Sequence, residues 1–585
     1  MQTQAAQITP RRKKQSFLHG ALILTISMVI VNVIGAIFKI PLNWVIGDDG
    51  YGYFSTAYSL YAPIFSLATA GFPIAIAKMV SEDYARQRFR DVRRIHRASI
   101  AIFAITGTTG LLIMWLGAPF YLNCFIHDSG SLPAMYILAP AILFSCLSSI
   151  YRGYYEGLRN MYPTAISEII ESTCKLVIGL TSAIVIMQIG MQQFYTTGKV
   201  FGTVAKSAAY AKSAALPYAV AGAIFGVTVG SVFGYLFLLF SHRKNGDGIT
   251  KAELASSVPA HTMHYTAVKL IKTAIPIGVG SLAVNIAGLI DATFLQTRIR
   301  SILDTHADVL LGMYKGMIPQ INIDNNTVST YLFGSYSTAL ILFMFIPSIT
   351  QAFSTSALPN VTSAWTRGAR SELKKNIEAV IRMTALICIP SGLGLSILAR
   401  PIITLVFGAD EIASRVLVIM GIGVIFASLS APIFSMLQAV GRVDLPVKLL
   451  AVGLTIKLVL NYTLSGIPEI NVLGAGTGTL VCYAFITVFA ISFLCKITHI
   501  VPNFISVFVK PLLASGICVV AAYATQLTAA KILPGRLATC VAIVIAGIVY
   551  AFALLCLKAI SRDDVLMLPK GKRIVKMLER HNWIK

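Results

Sequence analysis

The sequence predicts an all-α integral membrane protein with about fourteen transmembrane helices: two six-helix lobes followed by two C-terminal helices. Three observations predict it. The 585 residues are 56% hydrophobic and only 12% charged, with a mean hydropathy of +0.75, outside the range of soluble domains. Apolar runs of about 20 residues recur along the chain, each long enough to cross a hydrocarbon core of about 30 Å. The runs are continuous rather than alternating, which excludes a β-barrel. Short patterns also recur in the same order in the two halves of the chain, the mark of an internal repeat.

In chain order the runs cover 17–46, 53–79, 97–119, 132–153, 164–190, 217–241, 268–296, 328–353, 379–400, 412–438, 445–465, 472–494, 507–527 and 536–558. This divides the chain into a basic N-terminus (1–16), an N-lobe (17–241), a linker (242–267), a C-lobe (268–494), two further spans (495–558) and a basic amphipathic tail (559–585). The first run follows Arg11, Arg12, Lys13 and Lys14. It is too long for a signal-peptide core and lacks a small-x-small cleavage site, so it reads as a retained span.

The net charge of +24 marks membrane topology rather than nucleic-acid binding. Arg86, Arg88, Arg90, Arg93, Arg94 and Arg97 fall on the N-terminal side, as do Arg367, Arg370, Lys374, Lys375 and the basic tail. The opposite loops include Gly47-Asp48-Asp49-Gly50 and Gly408-Ala409-Asp410-Glu411, which are acidic. Basic loops stay in the cytoplasm, so the expectation is a multi-pass protein of a bacterial cytoplasmic membrane with both termini inside. Lys199, Lys206 and Lys212 break the rule, and a re-entrant or surface helix in 191–216 would explain them. The polar connection 297–327 reads as a solvated external loop. The nine cysteines show no paired spacing and lie mostly in apolar runs, as small core residues do.

The repeat rests on three echoes. Val31-Asn32-Val33-Ile34-Gly35 matches Val284-Asn285-Ile286-Ala287-Gly288. A basic loop precedes both the third and the ninth span. Arg159-Asn160-Met161-Tyr162-Pro163 before the fifth span resembles Arg442-Val443-Asp444-Leu445-Pro446 before the eleventh. Six spans per half preserve orientation, so the halves should be related by an axis along the membrane normal.

Lys175 and Lys457 stand in matching contexts deep in the fifth and eleventh spans, 457 − 175 = 282 residues apart. An ammonium at bilayer depth costs about 3 kcal/mol or more, and a cost incurred twice suggests anion binding. The two differ in their neighbours. Glu168, Glu171 and Lys175 share one helix face, and Glu171 can pair with Lys175 at i, i+4. That network is either a self-neutralised packing device or a cavity wall with a coupling carboxylate. Lys457 has no acid in its own helix and reads as the freer cation. Lys39 either snorkels or binds anion. Asn32 and Asn285 either bind sugar or bond between helices. Asp291 is a candidate ion or proton site, or a partner for Lys39. Lys78 reads as a snorkelling cation or a gate. Arg152 and Arg159, with Glu156 between them, read as topology signal or as capture of a head group. Gly71-Phe72-Pro73 and Ile346-Pro347 should interrupt the second and eighth spans.

Three segments carry a resemblance to a known family: Gly20 to Pro41, Ala70 to Glu82 and Tyr155 to Glu171. They resemble the SpoVB/YtgP-type polysaccharide transport proteins of the MOP flippase superfamily, and are similar to MurJ-type lipid II flippases. The resemblance implies a fourteen-helix flippase. It would move an undecaprenyl-pyrophosphate-linked cell-wall precursor outward by alternating access, with lipid II for peptidoglycan first among the cargoes. It also implies a cationic cavity and coupling to Na+, H+ or the membrane potential, with no bound cofactor. Partners would be the lipid-linked oligosaccharide, membrane lipids and cell-wall synthesis enzymes. MurJ-type proteins place arginines on the first helix, where this chain has Asn32, Phe38 and Lys39. Other lipid-linked precursors (capsule, teichoic acid, spore cortex) and cation-coupled drug export are the alternatives. No Walker-type phosphate loop, HExxH or metal-ligand cluster is present, and no convincing catalytic His or Asp supports a membrane transferase, so the chain does not read as an enzyme.

Overall fold

The computed structural model describes residues 17–69 and 71–559. The basic N-terminus and, beyond residue 559, the amphipathic tail lie outside the described residues. The helices are α1 (Phe17–Thr69), α2 (Phe72–Ala85), α3 (Phe89–Tyr121), α4 (Leu132–Gly157), α5 (Tyr162–Cys174), α6 (Leu180–Thr197), α7 (Ala208–Asn245), α8 (Lys251–Ser256), α9 (Met263–Ile290), α10 (Gln296–Met313), α11 (Gln320–Asp324), α12 (Val328–Thr366), α13 (Arg370–Ile397), α14 (Ala399–Val406), α15 (Glu411–Ala439), α16 (Asp444–Leu464), α17 (Val472–Thr498), α18 (Lys510–Ala529) and α19 (Gly535–Cys556). Strands β1 (Lys199–Val200) and β2 (Thr203–Val204) pair antiparallel.

Among the described residues, 12 helical stretches are long and apolar enough to cross a membrane. The first, Ile26–Ala85, makes two passes. Gly47 leaves the helix at φ 66° and ψ −174°, and Phe38 and Phe54 meet with ring centroids 6.1 Å apart. A straight helix would hold those positions about 24 Å apart, so the chain reverses at Gly47. α9 supplies a further pass. It runs through a π-helical turn, Asp291–Leu295, into α10. Another π-helical turn, Lys175–Gly179, joins α5 to α6. The second span is interrupted at Gly71-Phe72-Pro73 as expected. α12, in contrast, continues as helix through Pro347.

One apolar cluster gathers the first six spans, from Phe38 and Ile76 to Ile142 and Ile224. Two clusters build the second half, one around Leu332, Phe343 and Met420, the other around Ile389, Ile433 and Leu494. α9 is shared. Leu270 and Ala274 sit in the first lobe's core, whereas Ala292 and Leu295 beyond it sit in the second's. α18 packs on α13, and α19 on α18 and α14.

The connection 297–327 is not a solvated loop. Ile299, Ile302 and Leu310 are spaced helically and buried in the C-lobe core, which folds the segment into α10. The 191–216 connection is a two-stranded hairpin followed by an N-terminal extension of α7, not a re-entrant helix. The linker lies along the basic end of α3. There Arg93 makes a forked bond to Asp247 at 2.7 and 3.1 Å, and the His261 amide donates to Asp91 at 2.7 Å.

Candidate functional site: two buried lysines and an interlobe seam

The two lobes meet where α1 packs on α12. A belt of hydrogen bonds ties them at the face that carries Asp48, Asp49, Asp128 and Asp410, here called the acidic face. Asn43 Nδ2 donates to Thr338 Oγ1 at 3.0 Å, and Gln296 Nε2 to Thr56 Oγ1 at 3.0 Å. Thr330 Oγ1 donates to Asp128 Oδ2 at 2.5 Å. Tyr121 and Thr293 share a bond at 3.0 Å, and Asn322 Nδ2 donates to Asp49 at 2.7 Å. A Cβ added at Gly52 would run into the Thr330 carbonyl, and one at Gly334 into the Asp48 carbonyl. Only glycine permits backbones this close.

Four of these contacts form two pairs. The C-lobe residue lies 282 positions after its mate from the second span onward, and 291 − 38 = 253 positions after it in the first span. Under that correspondence Gly52 against Thr330 maps onto Gly334 against Asp48, and Asn43 to Thr338 maps onto Gln296 to Thr56. Such reciprocal contacts define a two-fold interface. Both members of each pair lie on one face, so the axis runs along the membrane normal, as the repeat predicted.

The same correspondence aligns the two lysine sites. In the C-lobe, Lys457 Nζ bonds Asp291 Oδ2 at 2.7 Å. Asn461 Nδ2 donates to Asp291 Oδ1 at 2.7 Å, and the Tyr336 hydroxyl donates to Oδ2 at 2.9 Å while sharing a 3.2 Å bond with Thr479. Lys457, Asp291, Asn461 and Tyr336 are all buried. A buried charge persists when it is paired and hydrogen-bonded, and Asp291 is satisfied on both oxygens. The expectation that Lys457 is the freer cation is therefore corrected: the partner it needed comes from the π-helical turn that follows α9. Asp291 is likewise not the partner of Lys39.

In the N-lobe the mate of Asp291 is Phe38, that of Asn461 is Gly179, and that of Tyr336 is Phe54. Lys175 Nζ stands 5.0 Å from the Phe38 ring centroid and 5.5 Å from that of Tyr58. Two aromatic faces hold an ammonium by cation–π attraction, about 2 kcal/mol when desolvated, without cancelling its charge. Among the described residues no carboxylate lies at ion-pair distance from Lys175. The expected Glu171–Lys175 pair does not form. Glu171 is taken by Arg152, whose Nη2 donates to it at 2.8 Å while Nε donates to Ser167. The helical register between Glu171 and Lys175 is intact, since the Lys175 amide still donates to the Glu171 carbonyl; the π-helical turn that begins at Lys175 lies beyond the pair. The charges that act on Lys175 are Lys39 and Glu171.

The remaining predicted residues fall as follows. Glu168 accepts from Ser27 at 3.5 Å. Asn32 and Lys78 are exposed, as is Arg159. Asn285 is half-buried and engaged. The structure thus joins Lys39, Lys175, Glu171 and Arg152 into one polar N-lobe centre, and Asp291 with Lys457 into a C-lobe one. Sequence reading missed Phe38, Tyr58, Tyr336, Asn461 and Thr479. The repeat offset was the signal that sets three of these, Phe38, Tyr336 and Asn461, into correspondence around the lysines, with Phe38 at the position of Asp291.

Comparison with known proteins bears on this architecture. Residues 17–323 match the family described as polysaccharide biosynthesis protein, and residues 327–463 match the MatE family. Lipid II flippase MurJ of Bacillus subtilis (strain 168) is 24% identical over 462 residues, 76% of this chain and 77% of that protein. Stage V sporulation protein B of the same organism is 22% identical over 504 residues, 83% of this chain and 85% of that protein. A solved structure of lipid II flippase MurJ in an inward closed conformation shares the fold. Its TM-score is 0.60 at 13% identity, over 92% of this chain and 98% of that one.

Proposed function

The chain belongs to the polysaccharide biosynthesis protein family, within a superfamily of membrane transporters, and from that premise we propose that it flips a lipid-linked pyrophosphoryl saccharide from the inner to the outer leaflet of a bacterial cytoplasmic membrane. The observation that carries the reading is Lys175: an ammonium held at membrane depth by two aromatic faces with its charge uncancelled, and with Lys39 as its cationic neighbour. A diphosphate needs such unspent positive charge. The cargo is lipid II for peptidoglycan, by likeness to a flippase of that name. Arg152 and Glu171 hold the N-lobe wall in shape, and the exposed Arg159 and Lys78 meet the head group first. The basic face is cytoplasmic, by the positive-inside rule, and both termini lie there, within reach of cell-wall synthesis enzymes. Transport is coupled to a cation or to the membrane potential.

The test is depletion of the protein in its host, with lipid II exposure on the outer leaflet as readout. Exposure should fall and return with wild-type protein. Lys175→Ala should reach the membrane at normal levels yet fail to restore it. Unchanged exposure on depletion, where no other flippase is present, would sink the cargo assignment. Full rescue by Lys175→Ala would sink the site.

A further inference from the structure

Two interlobe contacts at the acidic face have two-fold mates of like chemistry, Gly52–Thr330 with Gly334–Asp48 and Asn43–Thr338 with Gln296–Thr56, whereas the Thr330–Asp128 contact has a mate of different chemistry. Thr330 on α12 donates to Asp128, which also caps the turn before α4 by accepting from Gly130 N at 3.0 Å. The mates of these residues, 282 positions away, are Asp48 for Thr330 and Asp410 for Asp128. Asp410 plays the capping part as Asp128 does, accepting from Ala413 N at 2.9 Å at the start of α15. Its hydroxyl donor, however, is replaced by a carboxyl. The two-fold relation sets Asp48 against Asp410 as Thr330 is set against Asp128, and the Asp48 charge acts on Asp410. Asp410 is 9% exposed, and its Oδ2 is buried with no donor among the described residues. Asp48 Oδ1 already accepts from Thr338 at 2.8 Å and Asn43 at 3.3 Å.

Two carboxylates cannot sit in contact, both ionised, in a buried seam. The surrounding charges do not relieve them. On α1, Asp49 adds a second negative charge, itself near Lys212 of α7 and Asp128. On α12, Tyr331 faces Asp410, Asp48 and Asp49. On α15, Glu411 is bridged by Arg400 of α14 at 3.1 Å and by Arg415 at 3.8 Å, which occupies both guanidinium groups.

We propose that Asp48 and Asp410 share one proton, and that this proton latches the lobes at the acidic face, so that the closed seam is a proton-binding site that empties when the lobes part. In the closed state one carboxyl donates to the other. On opening, the shared bond breaks, both carboxylates hydrate, and the proton passes to water. The inference deepens the flippase reading by naming the coupling cation, and it rests on that reading only for the statement that the acidic face is external.

The direction with pH follows. Burial, with the Asp48 charge alongside, pushes the Asp410 carboxyl up to about 8, whereas a hydrated aspartate titrates near about 4. Across that window the closed form binds more protons than the open one. Closure is therefore strongest at low pH and is lost as pH rises through the window, by up to about tenfold in the open-to-closed ratio per pH unit for one proton.

The test uses the full chain in lipid nanodiscs without cargo, so its outcome is independent of what is transported. Spin labels on Val204→Cys and Ile467→Cys, at exposed positions on the acidic face of the two lobes, report their separation in a background with the native cysteines replaced. The longer distance should gain population as pH is raised from about 5 to about 9. Asp48→Thr restores the chemistry of the mate contact, and Asp410→Asn supplies an amide donor. Both should stay closed across the range. A pH-independent wild type, or either variant keeping the wild-type response, would overturn the latch. Loss of lipid II flipping with the latch intact would instead strike the proposed cargo.

Discussion

The two lobes solve the burial of a lysine in opposite ways. The C-lobe surrounds Lys457 with an acid, an amide and a hydroxyl: Asp291, Asn461 and Tyr336. At the same three places the N-lobe has Phe38, Gly179 and Phe54, and Lys175 rests on aromatic faces instead. One site spends its charge internally and becomes a strut. The other keeps its charge uncancelled, which the proposed function uses as a place for an anion. Duplication thus supplied two copies of one position, and divergence at the partner residues, not at the lysine, set their roles.

The largest effect should come from breaking the strut. Lys457→Met leaves Asp291 buried without its counter-charge, which costs about 3–5 kcal/mol. A lowered thermal midpoint and reduced membrane level should show it. Because the loss is the stranded charge rather than the pair itself, the double variant Lys457→Met with Asp291→Leu should recover most of it. A single variant as stable as wild type would mean that Asp291 and Lys457 are not coupled. This differs from Lys175→Ala, which removes no ion pair and should cost transport rather than stability.

A second substitution tests whether the partner residue decides the role. Phe38→Asp places a carboxylate beside Lys175, where the C-lobe has Asp291. The protein should still fold, since it gains an ion pair where it loses a ring. Flipping should fall by about tenfold or more, the worth of about 1.4 kcal/mol of lost anion affinity. Wild-type flipping in that variant would show that the charge of Lys175 is not used. The conversion cannot be completed at the third position. A Cβ at Gly179 would stand 2.7 Å from the Ala223 carbonyl, so Asn does not fit where Asn461 stands in the other lobe.

The fold was legible because hydropathy along a single chain determines where spans lie, and because Val31-Asn32 and Val284-Asn285 already fix the repeat offset. The depth of both lysines was legible for the same reason. Their partners were not. Asp291 and Lys457 are 166 residues apart, and which helix faces meet depends on interhelix register. The local rule that joined Glu171 to Lys175 failed for a reason that spacing does not show: Arg152 arrives from α4 and takes the carboxylate. Applying the offset to the site residues themselves would have paired position 38 with 291 and exposed the contrast directly. The same applies to the acidic loops. Asp48 and Asp410 read as separate solvated signals of topology until the lobes are brought together.

The smallest effect should come from trimming the strut without removing its charge. Tyr336→Phe deletes a hydroxyl that donates to Asp291 at 2.9 Å and is 1% exposed. Asp291 keeps Lys457 and Asn461, so the acid stays neutralised and loses one of its three donors. A hydrogen bond to a charged group contributes about 1.5–3 kcal/mol. The lower end applies here, because Lys457 shares the same oxygen and can tighten its own contact. The variant makes this stretch of α12 match Phe54 in the N-lobe, and it should flip cargo at the wild-type rate while melting earlier. Slowed flipping with unchanged stability would place the Tyr336 hydroxyl on the transport path, and the division between a strut in one lobe and a binding site in the other would no longer hold.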